Sequence, residues 1–142
     1  MIAIDPGNRS GFAEESWGVV TRAYETTIDN PPPMLTASGV GIIELPQIYP
    51  SARSKGNPND LIKVAYNAGR WHQWLVSHGY TVGFILPKAW KGSIPKEMLH
   101  ERIERGQIRG PLSRAELALF RAVGPNAKDA FALLLWKMGR LR

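Results

Sequence analysis

Three acidic residues stand within apolar segments, where an ionised side chain is costly to bury. Asp5 ends the run Met-Ile-Ala-Ile, Glu44 follows Val-Gly-Ile-Ile, and Asp129 lies inside the apolar stretch 127–136. Carboxylate oxygens are the ligands that Mg²⁺ prefers, and two such ions can activate a water molecule and stabilise the leaving oxygen of a phosphodiester. These residue types therefore indicate hydrolysis of nucleic acid, provided that the fold brings the three carboxylates together.

Each carboxylate also has a simpler explanation. Asp5 is followed by Pro and Gly and would suit a turn, whereas Glu44 would suit a solvent-facing strand end. Asp129 would suit an ion pair on a helix surface with Lys128 or Lys137. We favour the shared site, because the three residues belong to separate predicted elements and the second half of the chain is basic.

The pattern of apolar residues predicts the elements that must position these carboxylates. Apolar or alternating segments predict β-strands at residues 1–4, 10–15, 17–24, 39–45 and 80–86. Asn57 as N-cap, followed by Pro58, begins a predicted helix that runs to residue 78. Further helices are predicted at residues 96–105, 113–123 and 126–139, and residues 46–57, rich in Pro, Ser and Gly, predict an exposed loop.

The order of these elements predicts an α/β fold with a mixed five-stranded sheet flanked by helices, in one domain over residues 1–142. The strand-helix-strand unit that ends at residue 86 favours a parallel pair of strands. If the first strand is central, with the Glu44 strand beside it and the last helix packed across the sheet, the three carboxylates meet at one edge.

Charge is unevenly distributed along the chain. The net charge is +6, and residues 1–85 hold six basic and seven acidic side chains, whereas residues 86–142 hold twelve and five. The basic half predicts a surface for a polyanion such as nucleic acid. The chain has no cysteine, so a metal must bind oxygen or imidazole, and no apolar stretch is long enough for a membrane span. We therefore expect a cytoplasmic protein that does not associate with membranes.

Four segments of the sequence resemble RuvC-type Holliday junction resolvases of the ribonuclease H-like superfamily. They are Ile4-Asp5-Pro6-Gly7, Glu44, residues 57–69, reading NPNDLIKVAYNAG, and residues 126–130, reading NAKDA. The resemblance covers most of the chain and implies the ribonuclease H-like fold, a homodimer and Mg²⁺ or Mn²⁺ as cofactor. It also implies that Asp5 bridges two ions, that Glu44 completes one site and that Asp129 holds an ion from the last helix.

Asn126 departs from the pattern of that family. The family places a fourth acidic or histidine ligand three residues before the final aspartate, and Asn126 occupies this position. Its amide oxygen can coordinate a metal but carries no charge. Asn126 would equally suit the N-cap of the last helix.

Several residues are candidates for contact with nucleic acid. The resemblance suggests that Tyr49 stacks on an unpaired base at the junction centre, although packing on the domain surface would explain it as well. Candidates for phosphate contacts are Arg53, Lys55, Lys88, Lys91 and Lys96, each of which would also suit a solvated position.

For the other aromatic and imidazole side chains, the sequence predicts a location but no specific function. Trp71 and Trp74, within the long helix, favour packing in the core or between subunits. His72, His78 and His100 have no spacing typical of metal ligands, and we expect them on the surface.

The sequence thus predicts a Mg²⁺-dependent endonuclease that resolves four-way DNA junctions by paired symmetric nicks. Two alternatives remain open at this point. The same scaffold could cleave RNA-DNA hybrids, or it could be a noncatalytic module that binds junctions without cutting them.

Overall fold

A five-stranded mixed sheet forms the centre of the computed structural model, which describes residues 1–33, 38–47 and 57–141. The strands are β1 (Ile2–Asp5), β2 (Ser10–Ser16), β3 (Val19–Thr26), β4 (Gly39–Glu44) and β5 (Tyr80–Ile85). Their order across the sheet is β3-β2-β1-β4-β5. β1 and β2 pair antiparallel, as do β2 and β3, whereas β4 runs parallel to both β1 and β5. The predicted α/β class and mixed five-stranded sheet are confirmed, and the condition that the first strand is central is met.

The turn between β2 and β3 consists of Trp17 and Gly18. Both residues have positive φ angles, 58° and 78°, which match the type I′ turns that join antiparallel strands through two residues. Because Trp17 belongs to this turn, β3 begins at Val19 and extends to Thr26, so the predicted strand at residues 17–24 was shifted by two residues.

Five helices surround the sheet, and none of them, within the described ranges, is long and apolar enough to cross a membrane. They are α1 (Pro58–Ser77), α2 (Pro87–Trp90), α3 (Lys96–Glu104), α4 (Arg114–Ala122) and α5 (Pro125–Lys137). The predicted start of α1 is confirmed: Asn57 is its N-cap, and the Asn57 side chain accepts a hydrogen bond from the Asn59 backbone N–H at 3.0 Å. The predicted N-cap role of Asn126 is wrong. Gly124 is the N-cap of α5, and Pro125, which has no N–H to satisfy, takes the first helical position.

The two faces of the sheet carry separate apolar clusters. Ile2, Ile4 and Ile43 face α1, where they pack with Trp71, which is fully buried as core. Ala3 and Ile42 belong to the opposite cluster, together with the six consecutive α5 residues 130–135, which include Phe131, Leu133 and Leu134. Because side chains alternate between faces along a strand, the positions two residues after Ala3 and Ile42 also face α5.

A buried ion pair, here called the Arg140 clasp, ties α4 to the end of α5. The Arg140 guanidinium donates to both carboxylate oxygens of Glu116 at 2.7 and 3.1 Å, and the backbone N–H groups of Val20 and Ser113 donate to the same carboxylate. Burial opposes ionisation of Glu116, but these hydrogen bonds outweigh it and lower its pKa to about 2. Arg140 also donates to three backbone carbonyls, those of Gly18, Gly110 and Pro111.

Candidate active site

Two adjacent parallel strands end in the first two carboxylates. Ile4 of β1 pairs with Ile43 of β4, so Asp5 and Glu44 are the next residues of neighbouring strands. Both point to the face covered by α5, since they lie two residues after Ala3 and Ile42, which belong to that face. The register of the sheet therefore places Asp5 and Glu44 side by side at its carboxyl edge.

A glycine lets α5 bring the third carboxylate to the same edge. Gly11 of β2 pairs with Asp5, and a Cβ atom at this position would overlap the backbone carbonyl of Asn126 in the first turn of α5. Because Gly11 has no side chain, α5 lies directly on β2 beside Asp5. Asp129, one turn later, is buried and close enough to Asp5 and Glu44 to raise the pKa of each. The three predicted carboxylates are thus brought together.

Hydrogen bonds from α1 hold the turn that follows Asp5. The carbonyl oxygen of Gly7 accepts from the Ser10 hydroxyl at 3.1 Å and from the Asn67 amide at 3.3 Å. The buried indole N–H of Trp71 donates in turn to the Ser10 hydroxyl at 2.9 Å. These contacts fix the backbone after β1, and the sequence patterns had not identified this role for Asn67 or Trp71.

Glu44 is held by two residues at the end of α2. The indole N–H of Trp90 donates to Glu44 Oε2 at 2.6 Å, and the Lys91 ammonium lies 3.2 Å from Oε1. Burial raises the pKa of Glu44 despite the opposing effects of Lys91 and Trp90. Lys91, a candidate for phosphate contacts, therefore pairs with a carboxylate of the site in the structure.

Asp129 is held by two residues of α3. Lys96 Nζ lies 2.5 Å from Oδ2, and His100 Nε2 lies 2.7 Å from Oδ1. Burial alone would raise the pKa of Asp129, but these contacts outweigh it and lower the pKa. The prediction that His100 is a surface residue is wrong, because its side chain is only 13% exposed and faces the site. Its spacing of four residues from Lys96, which puts both on one face of a helix, was the available signal.

Asp5 differs from the other two carboxylates in lacking a cationic partner. It makes no hydrogen bond or ion pair through its side chain within residues 1–33, 38–47 and 57–141. Burial, followed by repulsion from Glu44 and Asp129, raises its pKa from 3.8 to about 7. Lys96 and Lys91 oppose this increase only in part. Ionised Asp5 is therefore costly in the metal-free protein, and a hard cation with oxygen ligands would offset that cost.

The donor set fits such a cation, although the side chains are not arranged around one. Within the described ranges, no three His, Asp or Glu side chains form a group that could hold a metal ion in their present positions. Two lysines already contact carboxylate oxygens that a metal ion would need: Lys91 contacts Glu44, and Lys96 contacts Asp129. Three carboxylates on two strands and a helix are nevertheless the ligand type that Mg²⁺ and Mn²⁺ prefer.

Asn126 lies in the first turn of α5 and donates hydrogen bonds to residues in and next to the strands. Its amide nitrogen donates to the Arg9 carbonyl at 2.9 Å, and its backbone N–H donates to Glu25 Oε1 at 3.0 Å. The structure therefore shows Asn126 as a link between α5 and the neighbouring strands. Its role as a fourth ligand remains a prediction.

The remaining candidates for DNA contact fall into two groups. Lys88 lies exposed on α2, two residues before Trp90. Tyr49, Arg53 and Lys55, and most of the predicted loop at residues 46–57, lie outside the described residues.

Comparison with known proteins gave no match to a protein-family model, and no curated protein sequence matches the chain. A functional conclusion therefore depends on the geometry and charge of the site.

Proposed function

We propose that this protein is a Mg²⁺- or Mn²⁺-dependent endonuclease with a ribonuclease H-like fold that resolves four-way DNA junctions by paired nicks. One observation carries the proposal. Asp5 and Glu44 end adjacent parallel strands, on the face where α5 adds Asp129, and Asp5 has no ion-pair partner among the described residues. Three converging carboxylates of this kind are typical of a site for divalent cations.

Each carboxylate has a distinct part in the proposed site. Asp5 interacts with both of the other carboxylates, so it would be the best placed of the three to contact two ions. Trp90 occupies one oxygen of Glu44, which leaves Oε1 as the oxygen that a cation would take from Lys91. Asp129 would hold an ion from the helix side. A bound divalent ion would stabilise the negative charge that develops on a phosphodiester during hydrolysis.

The lysines near these carboxylates suit a polyanionic substrate. Lys91 and Lys96 are long and flexible, so each ammonium can turn from its carboxylate to a phosphate oxygen nearby. They would offset the repulsion between a DNA backbone and the acidic site. The excess of basic residues after residue 85 extends the same attraction over the surrounding surface.

The choice of branched DNA and of a dimer follows from the resemblance to RuvC-type resolvases. In a two-fold dimer, two identical sites face symmetric positions of a four-way junction, so that paired nicks separate the duplexes. The four resembling segments include both strand ends and the first turns of α1 and α5, which are the segments that build the site.

The decisive experiment compares substrates and metals. The purified protein is incubated with a labelled four-way junction, a linear duplex of the same sequence and an RNA-DNA hybrid, in Mg²⁺, Mn²⁺ or chelator. Asp5→Asn removes the central charge, and Asp60→Asn, at an exposed position in the first turn of α1, is the matched control. We expect paired nicks in the junction that disappear with chelator and with Asp5→Asn but persist with Asp60→Asn.

Other outcomes would assign the protein differently. Cleavage of the hybrid alone would identify an enzyme acting on RNA-DNA hybrids. Tight junction binding that is independent of metal and produces no nicks would identify a binding module.

A further inference from the structure

A cavity of about 410 Å³ adjoins the candidate active site. Its lining comes from α2, the turn after it, α3, residues 107–108 and residue 141. This volume falls within the range of small-molecule sites, roughly 300–1,000 Å³. Trp90 and Lys91 line the cavity and also contact Glu44, so the cavity and this carboxylate share two side chains.

The cavity joins cationic groups to an apolar wall. Lys88, Lys91 and Arg102 contribute to its lining, which includes no acidic side chain among the described residues. Lys88 and Arg102 have no ion-pair partner within the described part of the chain, so their charges are available to an anion. The apolar part of the lining consists of Ile94, Leu99 and Ile108.

This combination suits a ligand with one flat apolar part and one anionic part. A nucleotide has both, because its base can lie against aliphatic side chains while its phosphate binds Lys or Arg. The side chain of Gln107, also in the lining, can donate to and accept from the polar edge of a base.

We propose that this cavity binds a single unstacked nucleotide of a DNA strand, with its base against Ile94, Leu99 and Ile108 and its phosphate on Lys88 and Arg102. The assignment of DNA as the source rests on the proposed function. A base leaves the stack at least cost where pairing is already interrupted, as at a branch point. Because the cavity and Glu44 share Trp90 and Lys91, the captured nucleotide lies next to the phosphate that is cut.

Binding to the cavity can be measured without nuclease activity. Thymidine 5′-monophosphate, thymidine and inorganic phosphate are titrated separately into the metal-free protein, and the indole N–H resonance of Trp90 is followed by NMR. Ala89→Trp fills the cavity from an exposed position on α2, and Arg102→Ala removes one cation. Arg105→Ala is the matched control, because Arg105 is exposed, pairs with Glu101 and does not line the cavity.

We expect the monophosphate to bind with a dissociation constant in the millimolar range, about −4 kcal/mol. Arg102→Ala should weaken it about tenfold, as expected for one charge-assisted hydrogen bond. Ala89→Trp should abolish the shift, and Arg105→Ala should leave it unchanged. Equal binding of inorganic phosphate, equal binding by the Arg102→Ala protein, or no shift at ~10 mM nucleotide would each overturn the proposal.

Junction cleavage by the same variants separates this proposal from the proposed function. If the monophosphate binds as expected and no substrate is cut, the cavity remains a nucleotide site and the nuclease proposal fails. If the junction is nicked at the same rate by wild-type and Ala89→Trp proteins, and the monophosphate does not bind, only the cavity proposal fails.

Discussion

Replacing Asp5 by asparagine should stabilise the metal-free protein, even though it removes the central carboxylate of the proposed site. The pKa of Asp5 is raised from 3.8 to about 7 by burial and by repulsion from Glu44 and Asp129. An acid with a raised pKa in the folded state favours unfolding as the pH increases, because the unfolded chain ionises first. This cost begins above pH 3.8 and is complete above pH 7. At about 1.4 kcal/mol for each pH unit between the two values, it reaches about 4 kcal/mol.

Urea unfolding in chelator, at pH 5 and pH 8, measures this effect. At pH 5 about 1.5 kcal/mol of the cost has developed, so Asp5→Asn should be more stabilising at pH 8 than at pH 5 by roughly 2–3 kcal/mol. This difference does not depend on the cost of burying the amide, which is the same at both pH values. Asp60→Asn provides the contrast, because this exposed carboxylate at the start of α1 favours the helix. It should lose roughly 0.3–1 kcal/mol at both pH values.

One result would refute the reasoning about Asp5: a change in stability on Asp5→Asn that is equal at pH 5 and pH 8. It would mean that Asp5 carries no repelled charge in the folded protein. Mg²⁺ adds an independent check at pH 8, since it should raise the stability of the wild-type protein and not that of Asp5→Asn.

Three further substitutions test other parts of the structure. Gly11→Ala should lower the free energy of unfolding in urea by roughly 1–3 kcal/mol, because the new Cβ atom would overlap the first turn of α5. Gly69→Ala, in open space within α1, should raise it by roughly 0.5–1 kcal/mol. Equal effects of the two substitutions would contradict the close approach of α5 to Gly11. Trp90→Phe, which removes the indole donor, should weaken Mg²⁺ binding in calorimetry roughly tenfold. Unchanged affinity would show that the indole does not orient the carboxylate. Arg140→Met should cost roughly 3 kcal/mol by leaving Glu116 buried without its cation. Because the pKa of Glu116 is about 2, against 4.5 ordinarily, that difference should persist above pH 4.5 and shrink as the pH falls toward 2.

The sheet and its carboxylates could be predicted because they depend on local patterns. A short apolar run followed by Asp5-Pro6-Gly7 marks a strand that ends in a turn, and Glu44 ends a similar run. Once the first strand is assumed to be central, both carboxylates must lie at one edge of the sheet. Asp129 interrupts an apolar helix, which indicates a polar site against the sheet.

The partners of these carboxylates could not be predicted in the same way. Trp90 and His100 belong to short helices whose packing is decided by tertiary contacts, so the sequence gives no measure of their distance from Glu44 or Asp129. The close approach of α5 to Gly11 could not be predicted from the sequence either, because a glycine within a strand indicates only that some backbone or ligand lies near. Lys91 and Lys96 were identified as cations, but their pairing with acidic residues requires the folded chain.

The Arg140 clasp has a consequence for the rate at which the domain opens. Its contact with the carbonyl of Gly18 joins residues 122 positions apart, and its contact with Glu116 requires α4 and α5 to be in place. Contacts of such long range form late, after the loops between them have closed. Interactions that are absent from the folding transition state slow unfolding without accelerating folding. We therefore expect the clasp to act chiefly on kinetic lifetime: loosening it should shorten the survival of the folded domain against proteases while leaving its refolding rate almost unchanged.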